Sequence, residues 1–231
     1  MSGGTIKVMS AGACEGPVHA LAPEFTRATG HEVELVFNTV GALKNRFAGG
    51  EAADVIILSV PAIEELEQAG RLTPGSRMDL GRAVCGVAVR DGMMVPNIAT
   101  PEAFRRALLH AQSIGANDPA HGGSSGIYFA ELLAKLGIAD ELRPKMVLGK
   151  TGREVALLVA SGQAELGVTF TSEFIPIQGT RVVGPLPTEY SYVNGYAGAL
   201  PAGGGSDAAQ AFLAFLTTAS SKQRFKSFGL E

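Results

Sequence analysis

The first seventy residues alternate between short apolar runs and helix-period segments, most of them ended by glycine, and this alternation confines the chain to one fold class. Ile6–Met9 is a strand of buried type, ended by Ser10-Ala11-Gly12-Ala13. A helix follows, with Val18, Leu21, Ala22 and Phe25 on one face and Gly30 as its stop. Glu32–Phe37 predicts a second strand, Ala42–Ala48 a second helix closed by Gly49-Gly50, Asp54–Leu58 a third strand and Pro61–Ala69 a third helix. A β-α-β-α-β-α order buries its apolar surface as a parallel sheet with helices on its faces. The chain is therefore α/β.

The pattern resumes with an apolar strand at Cys85–Val89. A helix at Pro101–His110, opened by Thr100, comes next, then a strand at Ser113–Asn117 and a helix at Ile127–Leu136. Lys145–Leu148, Glu154–Ser161 and Leu166–Phe170 read as strand, helix and strand. Arg181–Val183 and Val193–Leu200 are extended, and helices at Asp207–Thr218 and Ser221–Phe228 close the chain outside the alternation. With 231 residues, 46% of them apolar and 18% charged, the chain has material for two such units.

Composition excludes several partner classes. A net charge of −3 gives no basic footprint for nucleic acid or an anionic membrane. No tryptophan and 6% aromatics leave little for base or sugar stacking. No run reaches the roughly 18 apolar residues of a membrane span. Cys14 and Cys85 read as free thiols of a reducing compartment or as one disulfide; neither a metal-ligand spacing nor a phosphate fingerprint occurs, so no metal and no cofactor are expected. Met1-Ser2-Gly3-Gly4 leads straight into the first strand with no export signal. As written this predicts a cytoplasmic chain, or a periplasmic one if a signal was removed. A monomer is expected.

Three strand-to-helix junctions carry small and hydroxyl residues: Ser10–Cys14, Asn38–Ala42 and Asp118–Gly126. Ligands bind outside the carboxyl ends of parallel strands, where such junctions converge. At the third, Ser124 and Ser125 place two hydroxyls beside the unpaired N–H groups of a helix start. That is a seat for a carboxylate or inorganic oxyanion, and equally an ordinary N-cap. Thr39 is a hydroxyl donor or a turn residue, and Ser10 caps the first helix or faces inward. Arg153 is placed for a carboxylate clamp or for a surface ion pair with Glu154. His121, inside the glycine loop, and Glu15 are the acid–base candidates if the chain is an enzyme. Tyr190, Tyr192 and Tyr196 fall on the returning segment, and Tyr128 is read as packing beneath the Ser124 helix.

The order of these motifs resembles the type II periplasmic binding proteins, and within them the molybdate-binding group of ABC-transporter solute receptors. The matching stretches are Ser10-Ala11-Gly12-Ala13, Ala28-Thr29-Gly30-His31-Glu32-Val33 and Phe37-Asn38-Thr39-Val40-Gly41-Ala42-Leu43. Gly50–Val55, Asp118-Pro119 ahead of Gly126-Ile127-Tyr128, and Ser161–Val168 continue the match. The resemblance implies a two-lobed fold, each lobe a mixed, mostly parallel sheet flanked by helices, with an anion in the cleft between lobes. Residues 1–82 would form lobe 1, 83–195 lobe 2, and 196–231 the return to lobe 1 with the C-terminal helices. It adds Gly12, Ala13, Val40 and Phe170 to Ser10, Thr39, Ser124, Ser125 and Arg153 as ligand-binding positions. It also places a structural acid at Glu173 and, for an exported protein, implies an ABC-transporter permease as partner.

The family usually has serine where this chain has Gly12 and Val40, and tyrosine where it has Phe170. Three hydroxyls are thus missing from the family pattern. A desolvated tetrahedral oxyanion needs donors all round, so a carboxylate-bearing organic anion is expected in place of molybdate or tungstate. The alternative is an isomerase of unsaturated di- or tricarboxylates, of which the resemblance also includes examples.

Overall fold

The computed structural model describes residues 4–231, so the Met1–Gly3 part of the N-terminal lead lies outside the described residues. The elements run in the order β1 (Thr5–Ala11), α1 (Glu15–Thr29), β2 (Glu32–Asn38), α2 (Val40–Ala48), β3 (Val55–Ser59) and α3 (Val60–Gln68). Then come β4 (Met78–Arg90), α4 (Pro101–His110), β5 (Ile114–Asn117), α5 (Ser124–Lys135), α6 (Ala139–Leu142), β6 (Met146–Gly149) and α7 (Gly152–Ala160). The chain ends with β7 (Leu166–Phe170), α8 (Thr171–Phe174), β8 (Thr180–Pro185), β9 (Val193–Ala199), α9 (Asp207–Leu216) and α10 (Ala219–Ser227). It divides into a first unit, residues 1–82 and 194–231, and a second unit, residues 83–193.

In the first unit β1 pairs in parallel with β2, with Val8 opposite Leu35, and with β3, with Met9 opposite Ile56. β9 returns antiparallel beside β3. All five residues of β3 are buried, as its uninterrupted apolar run requires of a central parallel strand. Met9, Ile56, Leu58, Leu43, Phe47, Ile63, Leu66, Ala197 and Ala199 form the core under α2 and α3. On α1, the predicted face of Val18, Leu21, Ala22 and Phe25 is buried. Phe25 meets Phe212 of α9 edge-on at 5.0 Å, which joins the closing helices to this unit. Thr39, Thr100, Thr151, Ser206 and Thr218 each cap a helix through a side-chain oxygen.

In the second unit β5 is parallel to both β6 and β7, while β4 runs antiparallel to β7 and β8. A core of Ala88, Val155, Ala156, Val159, Ala164 and Phe174 fills the space beneath α7. β4 is longer than the Cys85–Val89 expectation. Its first part, Met78–Arg82, belongs to the first unit, where Arg82 exchanges two backbone hydrogen bonds with Glu231. Such pairing depends on the partner strand and leaves no apolar run in the sequence. No described helix is long and apolar enough to cross a membrane.

Candidate functional site

Parallel strands end on one edge, and in each unit three helices begin there. In the first unit the edge carries the Gly12–Cys14 turn with α1, then α2 and α3, after β1, β2 and β3. In the second it carries α5, α7 and α8, after β5, β6 and β7. Helix starts present unpaired N–H groups and a partial positive charge, so each edge is suited to an anion.

The first unit's hydroxyls are partly engaged. Ser10 is fully buried, and its Oγ donates to the Ala11 carbonyl at 3.3 Å. Thr39 is 7% exposed, and its Oγ1 accepts from the Ala42 N–H at 3.3 Å. Gly12 and Val40 are half-buried and offer backbone only; Ala13 is buried. Glu15, half-buried, is the first residue of α1.

In the second unit the sequence reading of α5 needs a correction. The helix starts at Ser124, three residues before the predicted Ile127, so both serines lie in its first turn and not in a loop ahead of it. Ser124 is half-buried. Ser125 is 3% exposed and its hydroxyl has internal partners: it donates to Asn117 Oδ1 at 3.1 Å and shares a hydrogen bond with Thr169 Oγ1 at 3.0 Å. Thr169 in turn lies 2.8 Å from Asn117 Oδ1 and bonds the carboxylate of Glu173. Gly126 makes this closeness possible, because a Cβ there would stand 2.5 Å from the Asn117 carbonyl oxygen.

Glu173, 8% exposed, sits against Gly152, where a Cβ would fall inside its carboxylate. The first turn of α7 is therefore occupied by an internal carboxyl group. Arg153, the next residue of α7, is exposed. Neighbouring Glu154 accepts from the Lys150 N–H at 2.8 Å, and so acts in the local cap. His121 lies in the short turn Pro119–His121, its Nδ1 3.1 Å from Asp118 Oδ2. Asp118 is held in turn by the Ala120 N–H at 2.9 Å.

Phe170 is buried at the end of β7 and stacks on Tyr192 at 5.8 Å; Tyr192 stacks on Tyr128 at 4.3 Å with 6° between planes. Tyr128 does pack at this edge, donating to the Tyr190 carbonyl at 2.8 Å, whereas Tyr196 is buried within β9. Burial pushes the Tyr128 and Tyr192 phenols above the usual tyrosine value, so both are neutral donors at physiological pH. Burial likewise pushes the Cys85 thiol well up and keeps it un-ionised. Asn117 and Thr169 were not singled out in the sequence. A polar residue ending an otherwise apolar strand, as Asn117 does, was the available signal.

A groove of about 360 Å³ runs from the β5–α5 junction along α5 and β6, lined by Asn117, Gly126, Phe129, Leu133, Arg143 and Met146. Among the described residues no group of three or more His, Cys, Asp or Glu is placed to hold a metal ion.

Residues 6–231 match the family model of the bacterial extracellular solute-binding proteins. An aconitate isomerase of a Pseudomonas species is 30% identical, the match covering 98% of this chain and 87% of that one. The molybdate-binding protein ModA of Escherichia coli is 25% identical, over 98% of this chain and 88% of its own. Among solved structures, the periplasmic molybdate-binding protein of Azotobacter vinelandii superposes with a TM-score of 0.78 at 20% identity, over 98% of both chains.

Proposed function

The chain belongs to the bacterial extracellular solute-binding proteins, of the molybdate-binding type, and on that premise we propose that it binds a small organic anion through its carboxylate groups. The observation that carries this reading is the hydroxyl inventory of the two carboxyl edges. Gly12, Val40 and Phe170 have no hydroxyl, while those of Ser10 and Ser125 are buried with partners inside the protein. A compact tetrahedral dianion stripped of water needs a donor for every oxygen, and each one missing leaves a buried charge unpaired. A carboxylate asks for donors at one or two ends and accepts apolar contact between them. The N–H groups at the helix starts supply the first, and Phe170 with its stacked tyrosines supplies the second. Molybdate and tungstate fit this set less well. For a receptor of this class the protein partner is an ABC-transporter permease.

A second reading is favoured by the aconitate isomerase relative and by the His121–Asp118 pair. On it, the protein moves a double bond in an unsaturated tricarboxylate by a 1,3-proton shift. A base takes the proton from a carbon beside a carboxylate, the electron pair shifts across the allylic system, and a proton returns at the far carbon. His121, whose Nδ1 lies 3.1 Å from Asp118 Oδ2, is one candidate for the base; Glu15 is the other.

One set of measurements decides among these. Calorimetric titration and thermal unfolding with cis- and trans-aconitate, citrate, smaller dicarboxylates, sulfate and molybdate should give saturable binding and stabilisation by a carboxylate. Stabilisation by molybdate alone would overturn the proposal. Proton NMR of the two aconitates with the protein in D2O separates receptor from enzyme: conversion with solvent deuterium uptake supports the isomerase, and binding without exchange rejects it.

A further inference from the structure

The second unit holds one phenol unusually firmly. Tyr192 is half-buried on the segment between β8 and β9, its ring stacked on Tyr128 from α5 and Phe170 from the end of β7. Tyr128 is itself fixed through its hydroxyl, which donates to the Tyr190 carbonyl. Two aromatic neighbours from different elements thus set the Tyr192 ring plane, and therefore the direction in which its oxygen points. That oxygen is hydrogen-bonded to the side chain of Ser124, the first residue of α5. With Ser124 as the donor, the phenol keeps its own proton for a second acceptor.

We infer that Tyr192 is a specificity-determining ligand-binding residue, its phenol O–H donating to a carboxylate oxygen of the ligand while Ser124 and the stacked rings hold it in direction. This rests on the carboxylate reading above. A hydrogen bond to an ionised acceptor beside such rings is stronger than one to a neutral group. A single directed hydroxyl beside an aromatic wall discriminates between anions. It serves a carboxylate with carbon behind it, and leaves the remaining oxygens of a tetrahedral oxyanion facing apolar carbon.

Tyr192→Phe removes the hydroxyl and keeps the ring; Tyr192→Leu removes the stack as well. Titration of trans-aconitate into the full-length protein and both variants, with ligand-free thermal unfolding as a control, tests the inference. Tyr192→Phe should unfold at nearly the wild-type temperature and bind trans-aconitate about tenfold or more weakly, in proportion to a lost bond to a charged group. Tyr192→Phe binding with wild-type affinity overturns the inference while leaving the carboxylate reading intact. Absence of binding by the wild type to trans-aconitate and to every other carboxylate tested overturns both. Should Tyr192→Phe not fold, the ζ-carbon NMR resonance of Tyr192 in the wild-type protein serves instead. A ligand-induced shift supports the assignment and an unmoved resonance rejects it.

Discussion

At Gly152 one missing side chain decides where a buried charge sits. The Glu173 carboxylate occupies the space a Cβ at residue 152 would need, against the start of α7, and is bonded by Thr169. A partial positive charge at a helix start offsets part of the cost of burying an acid there. Gly152→Ala must push the carboxylate out of this seat or distort the first turn of α7. Either route leaves polar groups unpaired or overpacked, and the expected loss is about 1–3 kcal/mol. Urea denaturation checks this; a loss within error of zero would mean that Glu173 has another low-energy position. The acid at 173 was legible as a structural hydrogen-bonding group through the family resemblance, which has an acid at that strand end. Its dependence on Gly152 was not, since the two are brought together only by the pairing of β6, β5 and β7. The same reason hid the Asn117–Thr169 contact, between residues 52 positions apart. Ser125 read as a ligand donor because a serine at a helix start looks the same whether its hydroxyl points outward or into such a network.

Elements with their own local signals were the most legible. The apolar face of α1 and the caps at Thr100 and Gly30 are written in neighbouring residues, and α1 and α4 begin and end close to where those residues stand. α5 began early because Ser124 and Ser125 read as loop, although both complete its first turn. The join between β1, α2 and the segment before β3 is held by charge. Glu51 accepts from Arg46 at 2.6 and 2.7 Å and from Lys7 at 3.1 Å, while Asp54 accepts the Lys7 backbone N–H at 2.7 Å. Hydrogen bonds from Arg46 and then Lys7 lower the Glu51 pKa from 4.5 to about 2. A folded pKa below the unfolded one contributes stability fully present above about pH 4.5, and lost as the pH falls toward about 2. Glu51→Gln should therefore flatten the acid limb of a stability-against-pH curve in that window and leave its slope near neutrality unchanged. An acid limb identical to wild type would show that the exposed triad adds nothing beyond solvent-screened contact.

For the whole molecule, the alternation of strands and helices was enough to give the α/β class and its parallel edges, because strand and helix periods are local properties. The edges follow from topology, and so the neighbourhood of the candidate site was legible before any side chain was placed. What remained hidden was which hydroxyls are engaged internally and which rings stack, since these depend on contacts between segments far apart in sequence. The central claim is that the carboxyl edges take a carboxylate ligand. Amide chemical-shift mapping of the isotope-labelled protein titrated with trans-aconitate, and separately with molybdate, tests it most directly. The account predicts saturable shifts with trans-aconitate, largest at residues 117–128, 150–154 and 190–194 and at residues 10–15 and 38–42, and weaker or absent shifts with molybdate. Saturable shifts with molybdate only, or trans-aconitate shifts confined to residues 133–148, would contradict it.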